Sequence, residues 1–175
     1  WYSTDSNGAV ETALGTAGQF SSLTVSGNTT LGNAAADSLT INAGVYSAPN
    51  IPCFFAYNSA TDTDVTGNGA TVTVDFDTEV FDQGNNFSAD TFTAPVTGKY
   101  HLTVQTLVGD LTALMTAYTY NLVTSNRTYQ QIENITPIAG GNLPLTISVV
   151  ADMDAGDTAT ATLRVQNGVG DTADI

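Results

Sequence analysis

Phe87-Ser88-Ala89-Asp90-Thr91-Phe92-Thr93-Ala94-Pro95-Val96-Thr97-Gly98-Lys99-Tyr100-His101-Leu102-Thr103-Val104 reads as strand, tight turn, strand. Phe92 and Ala94 alternate toward a core, Pro95 fixes the backbone at a strand end, Gly98 supplies a turn, and Tyr100, Leu102 and Val104 alternate on the strand that follows. The pattern predicts a hairpin of antiparallel sheet.

The same two-residue period recurs on both sides of this stretch. It runs through Phe54-Phe55-Ala56-Tyr57 and through Val72, Val74 and Phe76. Further on it runs through Leu143, Leu145, Ile147 and Val149, then through Ala159, Ala161, Leu163 and Val165. Gly-Asn-Gly at 67–69, Ala-Gly-Gly-Asn at 139–142 and Ala-Gly-Asp at 155–157 bound these runs as turns. One segment has two readings: Leu111, Leu114, Met115 and Tyr118 fit helical spacing, while Leu114, Thr116, Tyr118, Tyr120 and Leu122 form a strand face. Thr and Tyr favour extended backbone, so the segment is read as strand.

Composition narrows the classes of partner. The 175 residues, 42% of them hydrophobic, suffice for one packed domain with an appendage. Seventeen acidic residues stand against three basic ones, Lys99, Arg127 and Arg164, for a formal net charge of −14. Such a surface repels nucleic acid and anionic membranes, and no apolar run reaches the roughly 18 residues of a spanning helix. Cys53 is the single cysteine, so no intrachain disulfide forms, and it is expected to be a small buried side chain at a strand start. The chain opens on Trp1-Tyr2, which is no signal peptide, and residues upstream are expected.

Two textures divide the chain into residues 1–47 and 48–175, with the prolines of Val45-Tyr46-Ser47-Ala48-Pro49-Asn50-Ile51-Pro52 as an extended connector. In the first part, Ser22-Leu23-Thr24-Val25-Ser26-Gly27 is answered by Ser38-Leu39-Thr40-Ile41-Asn42-Ala43-Gly44, and Leu23, Leu31 and Leu39 recur at equal steps. Each unit is a stub of strand and a bend that buries almost nothing alone. Three chains winding together would give Leu23, Val25, Leu31, Leu39 and Ile41 a shared core, which makes these residues candidates for a trimer interface. The stretch Leu23-Thr24-Val25-Ser26-Gly27-Asn28-Thr29-Thr30-Leu31-Gly32 resembles repeats of phage fibre and appendage proteins.

Enzymatic constellations are scarce. His101 is the only histidine, set in mid-strand, and there is no nucleophile elbow, no phosphate-binding glycine loop and no pair of histidines at metal spacing. No enzyme activity is expected. Carboxylates do cluster: Asp62 with Asp64, then Asp75, Asp77, Glu79 and Asp82, then Asp152, Asp154 and Asp157. All-oxygen groups of this kind suit calcium, with Asp152, Asp154 and Asp157 as the first candidate site and Asp75, Asp77 and Asp82 as the second.

From Phe54 to Ile175 the chain resembles the globular heads of complement C1q and tumour necrosis factor. Phe54-Phe55-Ala56-Tyr57 resembles the first strand, and Val74-Asp75-Phe76-Asp77-Thr78-Glu79-Val80-Phe81-Asp82 the strand and loop before an aromatic signature. Phe92-Thr93-Ala94-Pro95 with Gly98-Lys99-Tyr100 resembles that signature, and Met153-Asp154-Ala155-Gly156-Asp157-Thr158 the turn before a penultimate strand. The resemblance implies an all-β, antiparallel jelly-roll sandwich behind an extended β-repeat shaft, assembled as a homotrimer. It also implies aromatic side chains along the threefold axis, for which Tyr100, Tyr118 and Tyr120 are the candidates, and it supports the calcium expectation. One departure stands out: the family closes with a further apolar strand, whereas here the sequence stops at Thr172-Ala173-Asp174-Ile175. An apolar slot is therefore expected, left by a truncated sequence or covered by a neighbour.

Together these readings favour a virion structural protein, a tail-fibre or appendage trimer whose knob is displayed on the particle surface for adhesion. Residues 61–70 and 121–127 would meet a host glycan or protein, with Tyr129 stacking on sugars. A capsid decoration trimer bound to other virion proteins is the first alternative, and a secreted cellular adhesin or lectin the second. Copy number per particle separates fibre from decoration.

Overall fold

The computed structural model describes residues 3–4, 10–11, 26, 51–136 and 139–175. The chain divides into two compact units, Trp1–Tyr46 and Ser47–Ile175. In the first, β1 (Ser3–Thr4) pairs antiparallel with β2 (Val10–Glu11). The candidate interface residues Leu23, Val25, Leu31, Leu39 and Ile41 lie outside the described residues.

The second unit is all-β. Its larger sheet is centred on β12 (Thr158–Gln166). Along one edge β12 pairs with β9 (Ala117–Thr124), which pairs in turn with β10 (Thr128–Asn134). Along the other edge β12 meets β4 (Thr71–Thr73) and β7 (Thr91–Thr93), and β7 pairs with β6 (Phe87–Ser88). Two antiparallel ribbons cover this sheet: β8 (Gly98–Leu111) with β11 (Gly141–Met153), and β3 (Cys53–Tyr57) with β5 (Thr78–Gln83). Among the described residues, no helix is long and apolar enough to cross a membrane.

Alternation explains this arrangement. Ala159, Ala161, Leu163 and Val165 of β12 are all buried, and the ribbon sets Leu102, Val108, Leu145, Ile147, Ala151 and Met153 against them. Because the side-chain period is two, a one-residue slip would turn each of these sets into water. The layers are also joined by a polar contact, since the Tyr120 hydroxyl lies 2.8 Å from Thr106 Oγ1. β11 and β12 connect through the expected turn, closed by the Asp157 N–H donating to Asp154 C=O at 3.0 Å, with Gly156 at φ 90°.

Three expectations require correction. The stretch around Pro95 is not a hairpin: β7 belongs to the larger sheet, β8 pairs with β11, and the chain crosses between layers at residues 94–97. The Ala94 N–H donates to Asp157 C=O and the Gly156 N–H to Ala94 C=O, which ties the strand end to the β11–β12 turn rather than to β8. Strand also begins later than the Leu114 face suggested. Residues 112–116 form a turn, in which the Met115 N–H donates to Thr112 C=O, Met115 is fully buried, and Leu114 projects outward. Cys53 starts a strand but is exposed, because it occupies the outward face of β3.

Candidate functional site

A slot of about 610 Å3 separates the two ribbons. Phe54 to Tyr57 of β3 form one wall, His101 to Gln105 of β8 the other, and Phe76, Phe87, Phe92, Leu122, Ala159 and Ala161 line its depth. The aromatic part of the floor is a stack. Phe54 lies 4.7 Å from Phe87 and 5.2 Å from Phe92, with Phe76 edge-on to Phe87 and Tyr100 tilted against Phe92. The notch continues past Tyr57 and Gln105 into a second stretch of about 680 Å3, bounded by residues 57–61, by residues 105–107, and by Asp75, Asp110 and Ile175.

The chain's last residues close the far end of this notch. Gly109 and Asp174 exchange both backbone hydrogen bonds, at 2.9 and 3.1 Å, as do Asp62 and Ile175, at 2.7 and 3.0 Å. Thr66 is held beneath them, since Ala173 accepts from Thr66 N–H and donates to its carbonyl. Residues 61–70, expected as a recognition loop, are thus partly fastened into the core. The other expected loop is mostly strand, for residues 121–124 belong to β9 and only the turn that follows is free of it. Tyr129 is half-buried, and the Arg127 guanidinium stands 5.9 Å from its ring centre.

Beside the slot an apolar surface faces out. Phe55, Tyr57 and Phe81 are 44–52% exposed, and Phe55 lies 6.4 Å from Tyr57 and 6.3 Å from Phe81. The outward face of the β8–β11 ribbon carries Leu107 and Val150, also exposed, among hydroxyl side chains. There His101 Nε2 sits 2.9 Å from Ser148 Oγ, which is 2.9 Å from Thr103 Oγ1. Among the described residues no carboxylate orients His101, so this is a cross-strand polar contact on an open face rather than a nucleophile with its base.

The tyrosines expected to face a threefold axis divide. Tyr118 and Tyr120 are buried inside the single chain, which leaves them no surface to offer a neighbour, and Tyr100 is half-buried with its hydroxyl donating to Val96 C=O. Burial, with the Glu133 carboxylate that accepts from its hydroxyl, pushes the Tyr118 phenol up to about 12, and burial pushes Tyr120 up to about 12. Sequence reasoning passed over Phe55 and Phe81, although an apolar residue at every position of Cys53-Phe54-Phe55-Ala56-Tyr57 signals a strand with two apolar faces.

Most of the carboxylates expected to bind calcium have partners within the chain. Asp152 pairs with Lys99 at 3.6 Å, Asp154 accepts from the Thr97 hydroxyl, and Asp157 accepts from the Asn126 amide and the Asp154 N–H. Asp77 takes the Ser59 N–H and hydroxyl, which hold its pKa down, and Asp82 takes the Phe87 N–H. Asp82, Asp154 and Asp157 brace turns, Asp77 ties down Ser59, and Asp152 makes an exposed cross-strand ion pair. Among the described residues, no group of three such side chains is placed to hold a metal ion. Asp75 is different: partial desolvation first, then the neighbouring carboxylate of Asp90, with Asp62 and Asp77 further off, raise its pKa.

No protein-family model matches the chain, and no curated protein does. Solved structures do. The globular domain of the zebrafish complement 1qA protein superimposes with a TM-score of 0.51 at 15% identity, over 71% of this chain and 91% of that one. The chain shares the fold of a C1q globular domain. In this C1q-like jelly roll the slot between β3 and β8 interrupts what would be one continuous layer, and the exposed aromatic surface lies along the slot's rim.

Proposed function

We propose that this chain is a non-enzymatic binding and display module. Three C1q-like knobs associate through the outward faces of β3, β5, β8 and β11, and the trimer serves as a virion appendage presented for host-surface adhesion. The observation that carries the trimer is the exposed group Phe55, Tyr57 and Phe81, with Val80, Leu107 and Val150 near half exposure or above. An exposed aromatic cluster of this kind, with Phe55 beside both Tyr57 and Phe81, marks a site of association. Placement on a virus particle rests on the repeat in residues 1–47 and its resemblance to phage fibre shafts. A surface of net charge −14 suits adhesion to protein or glycan better than to nucleic acid.

Sedimentation at micromolar concentration tests the assembly. The expected mass is three times the 18.1 kDa protomer, and a stable single subunit would refute the trimer. Immunogold labelling of the parent particle tests the placement, with the expected label on a thin appendage present in few copies. Dense label over the shell would make the protein a capsid decoration, and its absence from particles would make it a cellular adhesin.

A further inference from the structure

β10 is the outermost strand on its side of the larger sheet, and among the described residues it pairs only with β9. The opposite side is divided between β4, of three residues, and β6, of two, while β11 carries Pro144. β10 runs for seven residues in unbroken register and lacks the proline, bulge or lysine that commonly blunts a sheet edge. Its two sides can be told apart. At one end of the ladder the Thr124 N–H donates to Arg127 C=O at 2.8 Å, and at the other the Ile135 N–H donates to Thr116 C=O at 2.8 Å. Backbone direction alternates along a strand, so the odd-numbered residues face β9. Thr128, Gln130, Ile132 and Asn134 therefore turn their N–H and C=O groups away from the sheet. All four are also exposed, Ile132 by 62%.

We propose that β10 is a self-recognition edge, through which two copies of this chain join their larger sheets antiparallel about a twofold axis at Gln130, with each Arg127 paired to the partner's Glu133. Hydrogen bonding restricts the register first: a second β10 can bond to this edge only where even-numbered residues meet even-numbered ones. Charge then chooses among the registers that remain. With Gln130 opposite Gln130, both Arg127–Glu133 pairs form, Thr128 meets Ile132, and Tyr129 meets Gln131. Sliding one copy by two residues sets Arg127 against Gln131 or Ile135 and loses both ion pairs. Arg127 and Glu133 would meet at a position without shared backbone bonds, where cross-strand side chains approach most closely. Both charges are open to this use. The guanidinium has the Tyr129 ring beside it, Glu133 receives the Tyr118 hydroxyl on Oε2, and among the described residues neither has an ion-pair partner. The contact uses none of the strands of the trimer proposed above, so it links a knob of one trimer to a knob of another. A seven-residue ladder is a small interface, weak between free knobs and strengthened where many knobs are held side by side.

Charge exchange in the full chain tests the register. Arg127→Glu sets carboxylate against carboxylate and Glu133→Arg sets guanidinium against guanidinium, so either variant alone should associate about tenfold or more weakly than the native chain. Mixed in equal amounts, the two variants restore both opposite-charge pairs. Sedimentation at submillimolar concentration should then show the mixture regaining the doubled mass of the native chain. Doubling is read against each sample's own mass at micromolar concentration, one protomer or three, so the result stands apart from that for the trimer. Hydrogen exchange gives a second readout on the native chain. The amides of Thr128, Gln130, Ile132 and Asn134 should exchange quickly in dilute solution and gain protection on concentration, while those of Tyr129, Gln131 and Glu133 stay protected throughout. Gln130→Pro removes an outward N–H and no bond to β9, so it should abolish doubling with the knob still folded. A native chain that does not double, single variants that double as readily as the native chain, or a mixture no heavier than its components would each overturn the proposal. So would even-numbered amides already protected in dilute solution, which would mean that the chain itself covers this edge.

Discussion

At the scale of single residues, the energetics concentrate in β12 and in the tyrosines facing it. Leu163 and Val165 are fully buried between the layers. Leu163→Ala leaves a cavity that the paired strands cannot close, so it should cost about 2–5 kcal/mol. A lower denaturation midpoint at unchanged slope would register that loss. Tyr118 and Tyr120 predict an alkaline limit to stability. Their phenols titrate near 12 in the fold against an ordinary value of 10, so the neutral form is what the fold favours. Their stabilising contribution is complete below about pH 10 and disappears as pH rises through about 12. Base titration should therefore show tyrosinate absorbance appearing together with loss of the β-sheet circular dichroism signal. Ionisation of Tyr118 and Tyr120 themselves at pH 10 in a folded protein, read as the absorbance lost when both are changed to phenylalanine, would contradict this.

Among the elements, the terminal segment acts as a clasp. Residues 172–175 bond to Asp62, Val65, Thr66 and Gly109, and the loop they hold runs on into Gly67, whose carbonyl accepts from the Gly168 N–H at 2.8 Å. A Cβ on Gly67, at φ 136°, would meet Met115 Cε at 2.8 Å and the Gly170 carbonyl at 3.0 Å. Gly67→Ala should thus cost roughly 1–3 kcal/mol through backbone strain and crowding. The measured effect should be a lower melting temperature, with early hydrogen exchange at Thr66 and Ala173. Strand elements were legible where one face is buried and the other wet: β8, β11 and β12 each show period two in sequence and in burial. The hairpin through Pro95 was not. Which sheet a strand joins depends on partners distant in the chain, here the β11–β12 turn that bonds to Ala94.

For the whole molecule, the decisive quantity is the apolar surface left exposed. Phe55, Tyr57 and Phe81 form a coherent patch, whereas Tyr118 and Tyr120 are consumed inside the subunit. For the proposed trimer, Phe81→Asp should accordingly give a monomer in sedimentation without unfolding the knob. A mass that stays at three protomers would place the interface on another face. The candidate site was only half visible beforehand: the family resemblance implied an apolar slot, but its walls and acidic lining depend on residues far apart in sequence.

The sequence by itself determined that this is an antiparallel β protein with a C1q-like order of strands. Alternation is local, and a one-residue error in it would expose an entire face. Only the tertiary structure decided which strands share a layer, that Cys53 points outward, that Met115 fills a turn, and which protein partners the acidic side chains take. Each of these depends on what lies across the core, where neighbours are set by packing between distant segments and leave no periodic mark on the chain.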